Sequence, residues 1–305
     1  MTSEYQRDVV IKTIYEHAKN NKDIYFLSAD FGAPALDEFR DKLPNQFIHT
    51  GISEQNTIDL AAGLSLEGRI VFVYAMAPFI TLRCLEQHKC ATGMMNSKVC
   101  TLVAGIGLGY ADAGPTHYAT EDLSCLQALI KSEVITISDP NLAKEATKDI
   151  IQNPRYSFIR MDRHPTNDLS TFFNSYNYLD GFRFNGNDKK LCVISTGGII
   201  NNIINAQKIL NANFTICDLF LNKPINKKFI DFINEYENIL CVDEQSTGGL
   251  SHSILELLNE NNIFKKLNII KLPEKYIFEN GGRDLLLDKY NLSPKKIASF
   301  IKNLL

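Results

Sequence analysis

Four stretches of the chain carry residue types that could do chemistry together. Glu54, in His49-Thr50-Gly51-Ile52-Ser53-Glu54-Gln55-Asn56, follows a short apolar run and opens an Ala/Leu-rich helical stretch, Ile58 to Leu66, that stops at Gly68. One residue past Ser53, its carboxylate sits where the helix dipole favours negative charge, which suits a capping acid and equally a ligand at a strand-to-helix junction. Gly105-Ile106-Gly107-Leu108-Gly109-Tyr110-Ala111-Asp112-Ala113-Gly114-Pro115-Thr116-His117 has the glycines of a phosphate loop but not the GxGxxG order, so its lone histidine, His117, is structural or functional on other grounds. Phe158-Ile159-Arg160-Met161-Asp162-Arg163 is a strand ending in basic residues. A guanidinium fork there suits a phosphate and equally a solvated strand end. In Val71 to Gln87, Phe79 and Tyr74 are core residues or a wall for a flat ring, and Arg83 faces a substrate or pairs with a neighbouring acid. Asp30 ends the first strand.

The elements that must position these residues alternate regularly. Ile24–Ala29, Ile70–Ala75, Val99–Ala104, Val134–Ser138 and Ser157–Met161 read as nearly all-apolar strands, separated by predicted helices at Ser53–Glu67, Thr81–Met95, Glu121–Lys131 and Ala143–Gln152. Apolar strands alternating with helices indicate an α/β fold with a mainly parallel sheet covered on both faces, doubly wound by right-handed crossovers. At the start, Ser3 and Gln6 have capping-box spacing before an amphipathic helix. From His164 to Lys190 the rhythm breaks into Asn, Asp, Ser and aromatics, an expected interdomain linker along the surface. It then resumes with strands at Leu191–Ser195, Phe214–Leu219, Ile239–Asp243 and Asn268–Lys271, and a last helix to Leu305. The expectation is two α/β domains, residues 1–165 and 189–305, joined by a linker at 166–188.

Composition narrows the class. The chain has 305 residues, 45% apolar, with a formal net charge of −3, which speaks against a nucleic-acid partner. No run approaches the ~18 apolar residues that would cross a bilayer, and no signal peptide opens the chain, so no membrane association is expected. The 7 cysteines form no CxxC pair, and four of them (Cys100, Cys192, Cys217 and Cys241) lie in apolar strand-like runs where a thiol acts as a small hydrophobe. His88 and Cys90 lack a second ligand pair, so no metal site of this chain's own is expected. An odd cysteine count without a framework fits a reducing, cytoplasmic setting.

Gly51-Ile52-Ser53-Glu54-Gln55-Asn56 with Ala61-Ala62-Gly63-Leu64 resembles the pyrimidine-domain signature of transketolases and 1-deoxyxylulose-phosphate synthases. The resemblance extends to Arg83-Cys84-Leu85-Glu86-Gln87, to Gly114-Pro115-Thr116-His117 with Glu121 four residues on, and to a second half. That half has Val242-Asp243-Glu244-Gln245, Gly248-Gly249-Leu250-Ser251 and Phe278-Glu279-Asn280-Gly281-Gly282, like the family's C-terminal domain, where Glu244 is expected to be structural. The resemblance implies thiamine diphosphate as cofactor, with Glu54 on N1′ of its aminopyrimidine and Phe79, then Tyr74, as its stacking wall. It further implies His117 on donor-sugar hydroxyls, Arg163 with Arg160 in reserve on a substrate phosphate, Arg83 toward the substrate, and Asp30 orienting the cofactor or a neighbouring subunit. Two departures stand out. The family's Ser-Thr-Phe before the Arg83 segment is missing, and Ala113 replaces an aspartate that reads the donor's configuration, with Asp112 one residue away.

The diphosphate half-site, Gly-Asp-Gly with a later Asn to hold Mg²⁺, has no counterpart. The only Asp-Gly is Asp180-Gly181, followed by Phe182. The resemblance therefore implies the smaller subunit of a split enzyme that transfers a two-carbon ketol unit between sugars or sugar phosphates. A separate N-terminal subunit would carry the diphosphate-binding domain and most of the Mg²⁺ site, and the chain would pair as a homodimer within an α2β2 assembly. A deoxyxylulose-phosphate synthase-like subunit, a 2-oxoacid dehydrogenase β-like subunit and a non-catalytic assembly subunit are the alternatives.

Overall fold

The computed structural model describes residues 3–29, 33–173 and 175–305. Among these residues fourteen strands run in chain order: β1 Ser3–Glu4, β2 Ile24–Ser28, β3 Phe47–His49, β4 Ile70–Met76, β5 Val99–Ala104, β6 Glu133–Thr136, β7 Ser157–Met161, β8 Thr166–Asn167, β9 Arg183–Asn185, β10 Leu191–Ser195, β11 Thr215–Asp218, β12 Leu221–Lys223, β13 Asn238–Asp243 and β14 Leu267–Lys271. The apolar runs of the first half become a seven-stranded sheet in the order β12-β6-β7-β5-β4-β2-β3, parallel except for β12. The second half forms a five-stranded sheet, β14-β13-β10-β11-β9, parallel except for β9.

Strands buried on both faces explain why the sequence reads as continuous apolar runs. In β4, Val71, Val73 and Ala75 face one apolar cluster while Phe72 and Tyr74 face another. The first cluster continues through Cys192, Cys217 and Cys241 of the second sheet, so one face of each sheet shares a core with the other. In chain order, β3 is added on one side of β2 and β4 on the other. The strand order thus reverses beside β2, the place in open α/β sheets where ligands bind beyond the carboxyl ends.

Four local expectations are corrected. Thr81–Met95 is not one helix: a turn at Ala77–Ile80, another at Leu85–Gln87 and a π-helical stretch at His88–Met94 replace it. The Cys84 N–H bonds Thr81 O at 3.2 Å rather than Ile80 O, and the Ile80 carbonyl is taken by His88 Nε2 at 2.8 Å. The capping box also fails, because Ser3 belongs to β1, which pairs with β8, and the helix starts at Gln6 behind Tyr5 without a side-chain cap. The Gln6 amide instead bridges Thr166 Oγ1 and the Asp162 N–H.

The segment after His164 does not simply run along the surface. Phe173 is buried, β9 pairs with β11, and the Arg183 guanidinium, 1% exposed, ion-pairs with Asp139 and with Asp218 at 2.9 Å. Asp139 lies in the first half and Asp218 in the second, so the two halves are joined through a buried cation. The closing helix spans Pro294–Ile301 rather than reaching Leu305.

Candidate functional site

Glu54 heads the helix Glu54–Leu66 directly after β3. The turn into it needs Gly51 at φ +71°, and there Ser53 Oγ donates to Thr50 O at 2.7 Å instead of capping the helix. The result is a carboxylate only 4% exposed at a helix N-terminus. Arg83 Nη1 donates to Glu54 Oε2 at 2.8 Å, and among the described residues Oε1 accepts no hydrogen bond.

From Glu54 a string of contacts crosses the carboxyl ends of the sheet. The Arg83 guanidinium lies 4.5 Å from the centroid of the Phe79 ring, a cation–π distance. Phe79, in the turn after β4, meets His117 edge-on at 5.1 Å and 73°. His117, whose Nδ1 is 3.0 Å from Thr116 Oγ1, stands 6.2 Å from the Tyr110 ring. Tyr110 carries the Arg163 guanidinium at 4.4 Å, and Arg163 ion-pairs with Asp112. The Arg163 hydrogen bond holds the Asp112 carboxyl below the usual carboxylate range. Glu54, Arg83, Phe79, His117 and Arg163, spread over more than a hundred residues, are thus brought into one line.

Two candidates lie elsewhere. Tyr74 is 1% exposed and packs 6.4 Å from Phe26 on the opposite face of the sheet, because alternation along β4 turns it away from the string. It is a core residue and not a ring contact. Arg160 is 2% exposed and grips Asp122 with Nε at 2.9 Å and Nη2 at 2.8 Å, with Nη1 on Thr136 Oγ1 at 2.6 Å. With three of its five N–H donors engaged and its side chain closed off inside the sheet, this guanidinium is not open to a substrate phosphate, so the reserve role given to Arg160 is withdrawn. Asp30 lies outside the described residues.

Tyr110 escaped the sequence reading because nothing local marks it. Its role as a plate between His117 and Arg163 exists only after β5 and β7 pair. A buried cluster behind the string was missed for the same reason: Arg283 Nη1 donates to Asp162 Oδ1 and Oδ2 at 2.6 and 2.7 Å and Nη2 to Glu244 Oε2 at 2.6 Å. Burial opposes the charge on Arg283, yet Asp162 and Glu244 raise its pKa overall.

An aminopyrimidine needs a hydrogen-bonding carboxyl and a flat wall, and Glu54, whose Oε1 is unengaged among the described residues, together with Phe79 on the far side of Arg83 offers both. Among the described residues no group of three or more His, Cys, Asp or Glu side chains is arranged to hold a metal ion.

Comparison with known proteins assigns the family. Residues 6–167 match the model of the transketolase pyrimidine-binding domain and residues 183–297 that of the transketolase C-terminal domain. The chain is 26% identical over 306 residues to one of the subunits of an apulose-4-phosphate transketolase from Phocaeicola vulgatus, covering 95% of each chain. It is 27% identical over 305 residues to a 1-deoxy-D-xylulose-5-phosphate synthase of Caldanaerobacter subterraneus subsp. tengcongensis, covering 96% of this chain and 48% of the synthase. Its fold superimposes on a solved split-gene transketolase, an inactive beta4 tetramer, with a TM-score of 0.85 at 22% identity, over 99% of this chain and 98% of the other. With both of its halves matched, the chain belongs to the transketolase family.

Proposed function

We propose that this chain is the pyrimidine-binding subunit of a two-subunit, thiamine diphosphate-dependent transketolase that moves a two-carbon ketol unit from a ketose to an aldose. The observation that carries the reading is the buried Glu54 carboxylate, linked through Arg83 to Phe79 and from there to His117, at the carboxyl ends of the sheet. Its resemblance at full length to one subunit of an apulose-4-phosphate transketolase supports the need for a separate partner. Exposed apolar side chains around the string, with Ile52 88%, Met94 75% and Ile130 80% exposed, are consistent with a face that an assembly covers.

Thiamine diphosphate, when bound, supplies the carbanion chemistry at the sugar carbonyl. Glu54 would hold N1′ through Oε1 and keep a proton there, with Arg83 stabilising the charge on Oε2. Phe79 would give the ring its wall. His117 presents an imidazole edge to donor hydroxyls, and Tyr110 with Asp112 orients the Arg163 fork toward a substrate phosphate, which would displace Asp112. Mg²⁺ and the diphosphate fall to the partner subunit.

The test uses the chain assembled with its separately encoded partner. Glu54→Gln should leave the fold intact and cut turnover by roughly a thousandfold, about 4 kcal/mol in barrier; near-normal turnover would make Glu54 only a helix cap. The synthase relative motivates a second reading, a deoxyxylulose-phosphate synthase-like subunit. Offering the complex pyruvate or a ketose phosphate as donor separates the two.

A further inference from the structure

We propose that Arg283, in the C-terminal half, is a positioning residue that holds His117 and Arg163 at their working separation. Arg283 opens the helix Arg283–Lys289 behind Gly282, whose φ of +89° turns the chain inward, and its side chain is 12% exposed. The guanidinium reaches two carboxylates at once, and each carboxylate holds one of the segments that end in a site residue.

The first carboxylate is Asp162, the residue before Arg163. While both its oxygens take Arg283 Nη1, Oδ1 also accepts the His164 N–H at 2.9 Å and its own N–H goes to Gln6 Oε1 at 2.8 Å. The backbone on both sides of Arg163 is therefore tied to one side chain. The second is Glu244, whose Oε2 takes Arg283 Nη2 and whose Oε1 accepts the Leu108 N–H at 2.9 Å. Leu108 belongs to the segment that ends at His117. Gly107 beside it, at φ +57°, lies so close that a Cβ would come within 2.6 Å of Glu244 Cδ. A second tie from the same C-terminal stretch holds the far end of the segment, Tyr118 Oη donating to Glu279 O at 2.8 Å.

Without the cation, two nearly dehydrated carboxylates, 2% and 9% exposed, would be left facing one another. Like charges in that setting separate or take up a proton, and either response shifts the backbone segments they hold. Arg283 thus acts through Asp162 and Glu244, not by touching substrate. This gives the C-terminal half a part in substrate binding, and it rests on the reading of His117 and Arg163 as substrate groups.

The test compares Arg283→Met and Arg283→Lys in the chain assembled with its partner, at a temperature well below melting, with His117→Ala and Arg163→Ala in parallel. Hydrogen exchange on the isolated chain follows the amides of Leu108 and His164. Arg283→Met should speed exchange at both amides and lower kcat/KM for a phosphorylated ketose by about ten- to a hundredfold, mostly through KM. Arg283→Lys, which keeps the charge but cannot fork to both acids, should recover part of each effect and serves as the readout should Arg283→Met fail to fold. A lowered melting temperature with unchanged exchange at both amides and unchanged KM would overturn the proposal. If His117→Ala and Arg163→Ala leave the kinetics unaltered, the substrate-site reading fails, while the exchange data still decide whether Arg283 holds the two segments.

Discussion

Replacing Arg160 by alanine separates a structural guanidinium from a substrate-binding one. The side chain is 2% exposed and its partner Asp122 is fully buried, joined by two hydrogen bonds of 2.9 and 2.8 Å. In Arg160→Ala, Asp122 would keep, among the described residues, only the Gln245 amide at 2.9 Å as a side-chain donor. Breaking a buried pair by removing one partner costs about 3–5 kcal/mol, because an uncompensated charge remains in low dielectric. At roughly 2 °C per kcal/mol for a chain of this size, the melting temperature should fall by roughly 6–10 °C. Calorimetry on the isolated chain measures this, and Arg163→Ala is the control: its ion pair with Asp112 is solvent-exposed and should shift the midpoint by less than about 2 °C. Adding Asp122→Leu to Arg160→Met should recover much of the loss, since the buried charge goes with its partner. A melting shift for Arg160→Ala no larger than the control's, with a matching rise in KM for a phosphorylated sugar, would refute the reasoning.

Other outcomes follow from the same structure. Arg163→Ala should raise KM for a phosphorylated sugar more than it lowers kcat, the signature of lost uniform binding; equal KM values for variant and parent would return Arg163 to a strand-end role. Burial lowers the His88 pKa to about 4 against the Ile80 carbonyl, so its contribution to stability is present above pH 6.5 and lost as the pH falls toward 4. Burial raises Asp218 and Asp243 to about 6, and their contribution has the opposite sign: full below pH 3.8, lost as the pH rises through 6. His88→Met should therefore be relatively more stable at about pH 4.5 than at about pH 7 when urea midpoints are compared with the parent, and an unchanged difference would rule this out. The chain should self-associate as a homodimer through the apolar face around Ile52, Met94 and Ile130, and light scattering that finds a stable monomer at micromolar concentration would exclude it.

The fold was legible because parallel strands covered on both faces leave a strong mark in sequence: continuous apolar runs such as Val99–Ala104. That Glu54 opens a helix was legible from the Ala/Leu-rich run after it, although Ser53 does not cap that helix, while a role for it came only from the family resemblance. Which aromatic faces the site was not, since the period-two alternation of β4 gives two faces without saying which one points to Glu54, and it sent Tyr74 into the core. Arg160 and Arg163 looked alike in sequence. Their difference comes from Asp122, 38 residues from Arg160, and Asp112, 51 residues from Arg163, one buried and the other open to water. The helix expected at Thr81–Met95 failed where the Ile80 carbonyl bonds the His88 ring, a side-chain partner that no propensity scale anticipates. The segment after His164 looked like a tether because its one decisive residue, Arg183, depends on acids from both halves.

The antiparallel pairing of β12 with β6 bears on how the molecule is made. The last edge of the first sheet is supplied by residues 221–223, from beyond the point where a cut between the halves would fall. A ribosome that has released the first half has therefore released a sheet whose β6 margin still shows unpaired amides and carbonyls, the template on which other chains aggregate. That margin is closed only when β12 emerges, together with β11 and the Asp218 that completes the Arg183 pair. The two halves, though separate in sequence pattern, should mature as one unit. A fragment ending near residue 165 would be born with an open seam, and a shorter-lived or chaperone-bound nascent chain is the cellular sign to look for.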